Sequence, residues 1–206
     1  MRRKGLAILV VAVSILMLSM SATSSWASVP DAHGKVGCNV TGSGVFHPML
    51  TRTGSPGGVK YTFKATSRDC FSSAHLANNK VVGIAGVTIQ ASGFWNNAVG
   101  ESGSSCASLP NDKVGSLSMT FTWAASIAIA PTTLTITGGK PWVATGTIFD
   151  YRFPNLGGAI IGSAGSFAPP AALSYVLSTN IANPCGLAWG PYPTFTITGG
   201  FFNLTG

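Results

Sequence analysis

Few side chains after residue 27 could carry out acid–base, nucleophilic or metal chemistry. A glycosidase needs two carboxylates that face each other, and a hydrolytic triad needs a serine, a histidine and an acid. The chain contains no G-x-S-x-G, H-E-x-x-H, S-x-x-K or P-loop motif. The acidic residues and histidines available for such sites are Asp31, Asp69, Glu101, Asp112, Asp150, His33, His47 and His75.

Each of these groups also has a plainer role. Acidic residues in turn-rich stretches accept hydrogen bonds from the backbone, and widely spaced histidines are usually surface residues. We therefore expect no catalytic residue, no metal and no cofactor, and we favour a protein that is not an enzyme. Two alternatives stay open, because a Ser-His-Asp set is spatial rather than sequential and two histidines could meet and hold a metal ion.

Aromatic residues in Gly-, Pro- and Asn-rich stretches are the more informative feature. The stretches "SGFWNNAVG", "GGKPWVATG" and "GLAWGPYPT" place rings beside amides or turns. Such rings can stack on sugars or apolar ligands, whereas the alternative is that they plug the ends of a β-sandwich. The candidate ligand-binding residues are Trp95, Asn96, Trp142, Trp189 and Tyr192.

Alternating sequence patterns predict the elements that must position these residues. In "SLSMTFTW" (116–123) and "KYTFKAT" (60–66), apolar residues alternate with Ser, Thr or Lys, which is the pattern of a half-buried strand. The phrases "TLTITGG" (133–139) and "TFTITGG" (194–200) repeat this pattern, and we expect each strand to end at its Gly pair. Further strands are predicted at 36–46, 81–92, 142–151 and 172–178, with a long connection or irregular edge at 154–171.

These segments predict an all-β fold. Helical signals are poor, and eight or nine short strands separated by turns suggest a single antiparallel β-sandwich or a closed β-barrel. We expect residues 28–206 to form one secreted β domain.

Residues 1–27 have the features of a cleaved signal peptide. Positive residues at 2–4 precede an apolar stretch, and small residues around Ala27 form an A-x-A-like cleavage site. No later segment has the length and apolarity of a transmembrane helix. We expect a protein that is secreted or associated with the cell envelope.

The charge of the exported part argues against nucleic-acid binding. Three of the twelve Lys and Arg residues lie in the leader, which leaves nine against five acidic residues, a net charge of +4. The nine are scattered, without the basic stripe of a nucleic-acid binder.

Four cysteines in an exported chain predict two disulfides. The strands at 36–46 and 58–67 flank a hairpin loop centred near residue 54, so antiparallel pairing places Cys38 opposite Cys70. Cys106 and Cys185 then remain for each other.

The stretches "CNVTGSG", "YTFKATSRDC", "SSCASL" and "TFTITG" resemble a group of small, uncharacterised, exported all-β proteins of high-GC Gram-positive bacteria. The similarity spans roughly residues 38 to 200 and implies export, a β fold and two disulfides. It supplies no catalytic residues.

Three functions compete at this stage. We favour a non-enzymatic module that binds a cell-wall glycan or another envelope protein. The alternatives are a secreted hydrolase with a site assembled from distant residues and an envelope β-barrel pore.

Overall fold

The computed structural model describes residues 28–50, 58–96, 113–138, 142–143, 148–153, 158–180 and 192–206. Its strands are β1 (Ala32–His33), β2 (Lys35–Leu50), β3 (Val59–Ser72), β4 (Ala74–Leu76), β5 (Val81–Val82), β6 (Ile84–Asn96), β7 (Lys113–Ala125), β8 (Thr132–Thr137), β9 (Trp142–Val143), β10 (Ile148–Phe153), β11 (Ala159–Ala164), β12 (Ala172–Asn180) and β13 (Tyr192–Thr205). No helix in this part of the chain is long and apolar enough to cross a membrane.

The strands form one large antiparallel sheet and one small sheet. Ten strands pair in the order β11-β8-β7-β6-β3-β2-β13-β12-β10-β9, and β1, β4 and β5 form the second sheet. The large sheet curls into a half-barrel. The prediction of an all-β antiparallel fold is confirmed, whereas the choice between a sandwich and a closed barrel stays a prediction.

The apolar residues of the alternating strands line the inside of the curl. On β7, Leu117, Met119 and Phe121 are buried, whereas Ser118 and Thr122 on the opposite face are exposed. The rings of Phe121 and Phe202 lie 5.2 Å apart although their strands are separated by three others in the sheet. The curl therefore brings distant strands together over one core, because burial of these rings is the main favourable term.

A buried polar network holds one end of the core. The indole N–H of Trp123 donates a hydrogen bond to the Thr132 hydroxyl at 3.0 Å, and that hydroxyl donates to the backbone carbonyl of Ser166. The Ser166 hydroxyl accepts the backbone N–H of Ala32 at 3.0 Å. Thr132 and Ser166 are fully buried, and the hydroxyl of each has a hydrogen-bond partner. Buried polar groups are normally paired in this way, because an unpaired one is costly.

The two copies of the repeated phrase behave differently. Leu134 and Ile136 of the first copy and the matching Phe195 and Ile197 of the second are buried, as expected. The first strand ends at Thr137, before its Gly pair. The prediction is wrong for the second copy, since β13 continues through its Gly pair to Thr205.

A β-bulge explains the difference. The register of β13 against β2 shifts between Ile197 and Gly200, so one extra residue is accommodated around the Gly pair without ending the strand. The segment predicted as a long connection or irregular edge contains the edge strand β11, whose pairing with β8 also shifts between Ile160 and Gly162.

The predicted hairpin register is confirmed. Cys38 pairs with Cys70 across β2 and β3, and the two sulfurs form a disulfide that closes a separation of 32 residues. Cys38 is fully buried on the core side of the sheet. A disulfide of this kind is expected in a protein from an oxidising compartment. Cys106 and Cys185 lie outside the described residues, as does the predicted leader.

Replacing both residues in a Cys38→Ala/Cys70→Ala variant should lower the free energy of unfolding by about 3–4 kcal/mol, since the unfolded chain regains the entropy of a loop of this length. Urea denaturation followed by circular dichroism would measure the loss. The control is Val81→Ala, a change at a side chain that is 75% exposed. A double variant as stable as this control would contradict the structural role of the bond.

Candidate functional site

The outer face of the sheet is polar and almost continuous. We define the outer face as the side opposite the core on β13, β2, β3, β6 and β7. Cross-strand pairing aligns its side chains into rows that run across the strands. The first row crosses five strands and consists of Thr196, Ser43, Lys64, Gln90 and Thr120. The second row crosses four strands and consists of Thr41, Thr66, Thr88 and Thr122.

Two shallow depressions lie on this face. The first, of about 860 Å³, is lined by residues that include Lys64 and Gln90. The second, of about 1140 Å³, includes Asn39, Arg68 and Asp69. Both are open and have Ser and Thr residues among those that line them, whose hydroxyls can hydrogen-bond a hydrated ligand.

An exposed aromatic cluster lies beside the second depression. We call it the aromatic patch; its residues are Asn39, Asp69, Phe71, Phe201 and Asn203. The ring of Phe71 is 59% exposed and stacks on Phe201 with centroids 6.0 Å apart and an interplanar angle of 22°. The exposed Phe71 ring and the half-buried Phe201 ring, with polar groups beside them, form a candidate contact surface.

The strand register builds the patch. Gly37 pairs with both Phe71 and Asn203, and Asn39 pairs with both Asp69 and Phe201, so all of them share one face. The ring of Phe71 lies over Gly37, where a Cβ atom would fall 2.3 Å from Phe71 Cζ. The missing side chain at residue 37 is therefore what lets the ring lie along the sheet.

Two polar groups of the patch are already oriented. The amide of Asn39 donates a hydrogen bond of 2.7 Å to Oδ2 of Asp69. A β-bulge next to this pair places two residues of β3, Ser67 and Arg68, opposite the single residue Val40 of β2. The Ser67 hydroxyl accepts a hydrogen bond of 2.9 Å from the backbone N–H of Asp69. The carboxylate and the amide thus stand beside the ring as fixed hydrogen-bonding groups.

Positive charge predominates on this face. Lys60, Lys64 and Arg68 follow one another along β3 and are all exposed. Among the acidic residues whose side chains are described, Asp31 and Asp69, only Asp69 belongs to the face. An anionic ligand would therefore be attracted to it.

Acid–base chemistry has little support in the described residues. They contain no group of three or more His, Cys, Asp or Glu side chains that could hold a metal ion. Burial raises the pKa of Tyr175, which lies inside the half-barrel near Phe63 and Phe202, so its hydroxyl stays protonated at neutral pH.

Four of the five predicted ligand-binding residues lie on described strands, and none of these four belongs to the aromatic patch. The ring of Trp95 is 3% exposed and stacks on Tyr61 with centroids 4.4 Å apart, as expected of a plug in the core. Asn96 ends β6, Trp142 begins β9 and Tyr192 begins β13. Trp189 lies outside the described residues, and a shared ligand site for these five residues stays a prediction.

Sequence reasoning missed the aromatic patch. The signal for half of it was present, because the predicted pairing of Cys38 with Cys70 also pairs their neighbours on the opposite face. The other half depends on the bulge at Gly199–Gly200, which has no clear sequence signature.

Comparison with protein-family models, with curated proteins and with solved structures finds no match to this chain.

A Gly37→Ala variant should displace the Phe71 ring from the sheet, because the new Cβ would occupy its position. We expect a cost of about 1 kcal/mol, at the low end for an overpacked position since the ring can move into solvent. Gly83→Ala is the control, because a Cβ built there meets no atom closer than 3.5 Å and Gly83 lies between β5 and β6, away from the patch. Nuclear Overhauser contacts between the Phe71 and Phe201 rings would report the change; their survival in Gly37→Ala would contradict this packing.

Proposed function

We propose that the protein is an exported, non-enzymatic module that binds a glycan on the outer face, with the aromatic patch as the centre of the site. The observation that carries the proposal is the exposed, stacked ring of Phe71 beside the hydrogen-bonded pair Asn39–Asp69. Sugars present a flat C–H surface to aromatic rings and hydroxyls to amides and carboxylates. The patch offers the Phe71 ring for the C–H surface, and the Asn39 amide and the Asp69 carboxylate for the hydroxyls. Asp69 lies two residues before Phe71 on the same face of β3.

The size of the outer face favours a polymer over a single sugar. Along β3 the face extends from Lys60 to Phe71, roughly 35 Å at the rise of an extended strand. Across five strands it measures about 20 Å. Rows of Ser and Thr hydroxyls and two depressions continue from the patch, so further sugars could bind along the same surface.

The chemistry of the face favours binding over hydrolysis. A glycosidase requires two facing carboxylates, and Asp69 is the one acidic side chain that the described residues place on this face. Its neighbour Asn39 is an amide that holds it in place.

The curl of the large sheet also favours the barrel form of the predicted fold over the sandwich.

A Phe71→Ala variant should lose glycan affinity by about tenfold or more, because the stacking surface disappears. Phe71→Trp should restore binding. The control is Ile161→Ala on the edge strand β11, since Ile161 is 63% exposed and lies away from the patch. A glycan array followed by calorimetry on the best ligand would measure these affinities. The protein should come from a bacterial host, because Asn39 and Asn203 begin N-x-T glycosylation motifs and must stay unmodified.

Two results would contradict the proposal. One is an array without signal for the wild-type protein. The other is equal glycan affinity for Phe71→Ala and the wild type, which would place the glycan site away from the aromatic patch.

The positive charge of the face predicts a preference among glycans. An acidic polysaccharide should bind more tightly than its neutral counterpart, and the difference should shrink as salt rises because the charges are exposed. The double variant Lys60→Gln/Lys64→Gln should remove most of the preference while neutral binding persists. Lys80→Gln serves as the matched control, because Lys80 is exposed just before β5 in the small sheet. Equal binding of acidic and neutral polymers by the wild type would exclude this preference.

A further inference from the structure

The small sheet places two histidines side by side. His33 of β1 pairs directly with His75 of β4 in an antiparallel register. Their chain neighbours Ala32 and Ala74 are buried in the core, whereas both histidines are half-buried. Because side chains alternate along a strand, the two imidazoles share the face that looks away from the core.

We infer that His33 and His75 form a binding site for a divalent transition-metal cation such as Cu²⁺ or Zn²⁺. Directly opposed residues of an antiparallel pair have Cβ atoms about 4.5–5.5 Å apart, so two imidazole rings can reach one metal ion. Imidazole is a preferred ligand for these metals, with Cu²⁺ bound more tightly than Zn²⁺. The inference does not depend on the proposed glycan site.

The residue between β1 and β2 leaves room for the second ring. Gly34 has a φ of +107°, a conformation that favours glycine. A Cβ atom at this position would lie 3.3 Å from Nδ1 of His75, so the His75 ring lies beside Gly34. Gly34 directly follows His33 in the chain, which places the His75 ring close to the backbone of His33. A larger residue at position 34 would crowd the His75 nitrogen that is available to a metal.

The backbone around the pair is firmly held. Gly34 and Gly206 exchange two hydrogen bonds, of 2.7 and 2.9 Å. The Ala32 carbonyl accepts the N–H of Phe167 at 2.7 Å, and the Ala32 N–H donates to Ser166. The residues on either side of His33 therefore keep their positions without a metal, which lowers the ordering cost of binding.

Few other groups compete for the ion at this place. Val81 is the residue opposite His75 on its other side, and Asp31, just before β1, is the acidic residue nearest to His33 in sequence. In the part of the chain that the structure describes, no third His, Cys, Asp or Glu completes a larger cluster. Water would fill the remaining coordination positions, which fits a surface site of moderate affinity.

Calorimetric titration of the protein, purified without a histidine tag, with CuCl₂ and ZnCl₂ at about pH 7.5 tests the inference. We expect one ion per chain, and an affinity at least about tenfold lower in His33→Ala and in His75→Ala. His47→Ala is the matched control, because His47 lies on β2 opposite Lys60. Wild-type affinity in the first two variants, or no binding by the wild type, would overturn the inference.

A second measurement on the unaltered protein removes the dependence on folding of the variants. Substoichiometric Cu²⁺ should broaden the imidazole resonances of His33 and His75 in the NMR spectrum before those of His47. Broadening of all three histidines in parallel, or of His47 first, would contradict a site at the pair.

Discussion

The register between β2 and β3 is the constraint on which the rest of the structure depends. The Cys38–Cys70 disulfide fixes it on the core side of the sheet. On the opposite face, the same register pairs Asn39 with Asp69 and Gly37 with Phe71. A shift by one residue would exchange the two faces, bury the polar groups and expose the core, so core and candidate site are specified together.

Local irregularities turn this regular pairing into a half-barrel. Bulges shift the register of β3 near Ser67 and of β13 at Gly199–Gly200, and such sites increase the twist and bend of a strand. The bend lets Phe121 reach Phe202, and the network from Trp123 to Ser166 closes one end of the same core. The bulge in β3 also borders Asp69, so the device that bends the sheet shapes the depression beside the aromatic patch.

The strands and one disulfide could be predicted because they follow from local rules. Period-two patterns marked Leu117, Met119 and Phe121 as buried, and a hairpin midpoint sufficed to pair Cys38 with Cys70. The curl of the sheet and the contribution of Phe201 and Asn203 to the patch could not be predicted. Both depend on the register between strands that are far apart in the sequence, such as β2 and β13. The Gly pair after Thr198 is preceded by the same Thr-Ile-Thr sequence as the pair after Thr137, yet β13 continues through it because it pairs with strands on both sides. Similarly, a Trp beside Asn residues suits either a ligand platform or a plug, and only tertiary packing places Trp95 against Tyr61.

The central claim is that the outer face, and the aromatic patch within it, binds the ligand. NMR chemical-shift mapping with a soluble acidic oligosaccharide tests it most directly, since every backbone amide reports at once. The account predicts shifts that cluster at Asn39, Asp69, Phe71, Phe201 and Asn203 and continue toward Lys64. Shifts that cluster instead around Trp142 and Trp189 and leave β2 and β3 unchanged would contradict it.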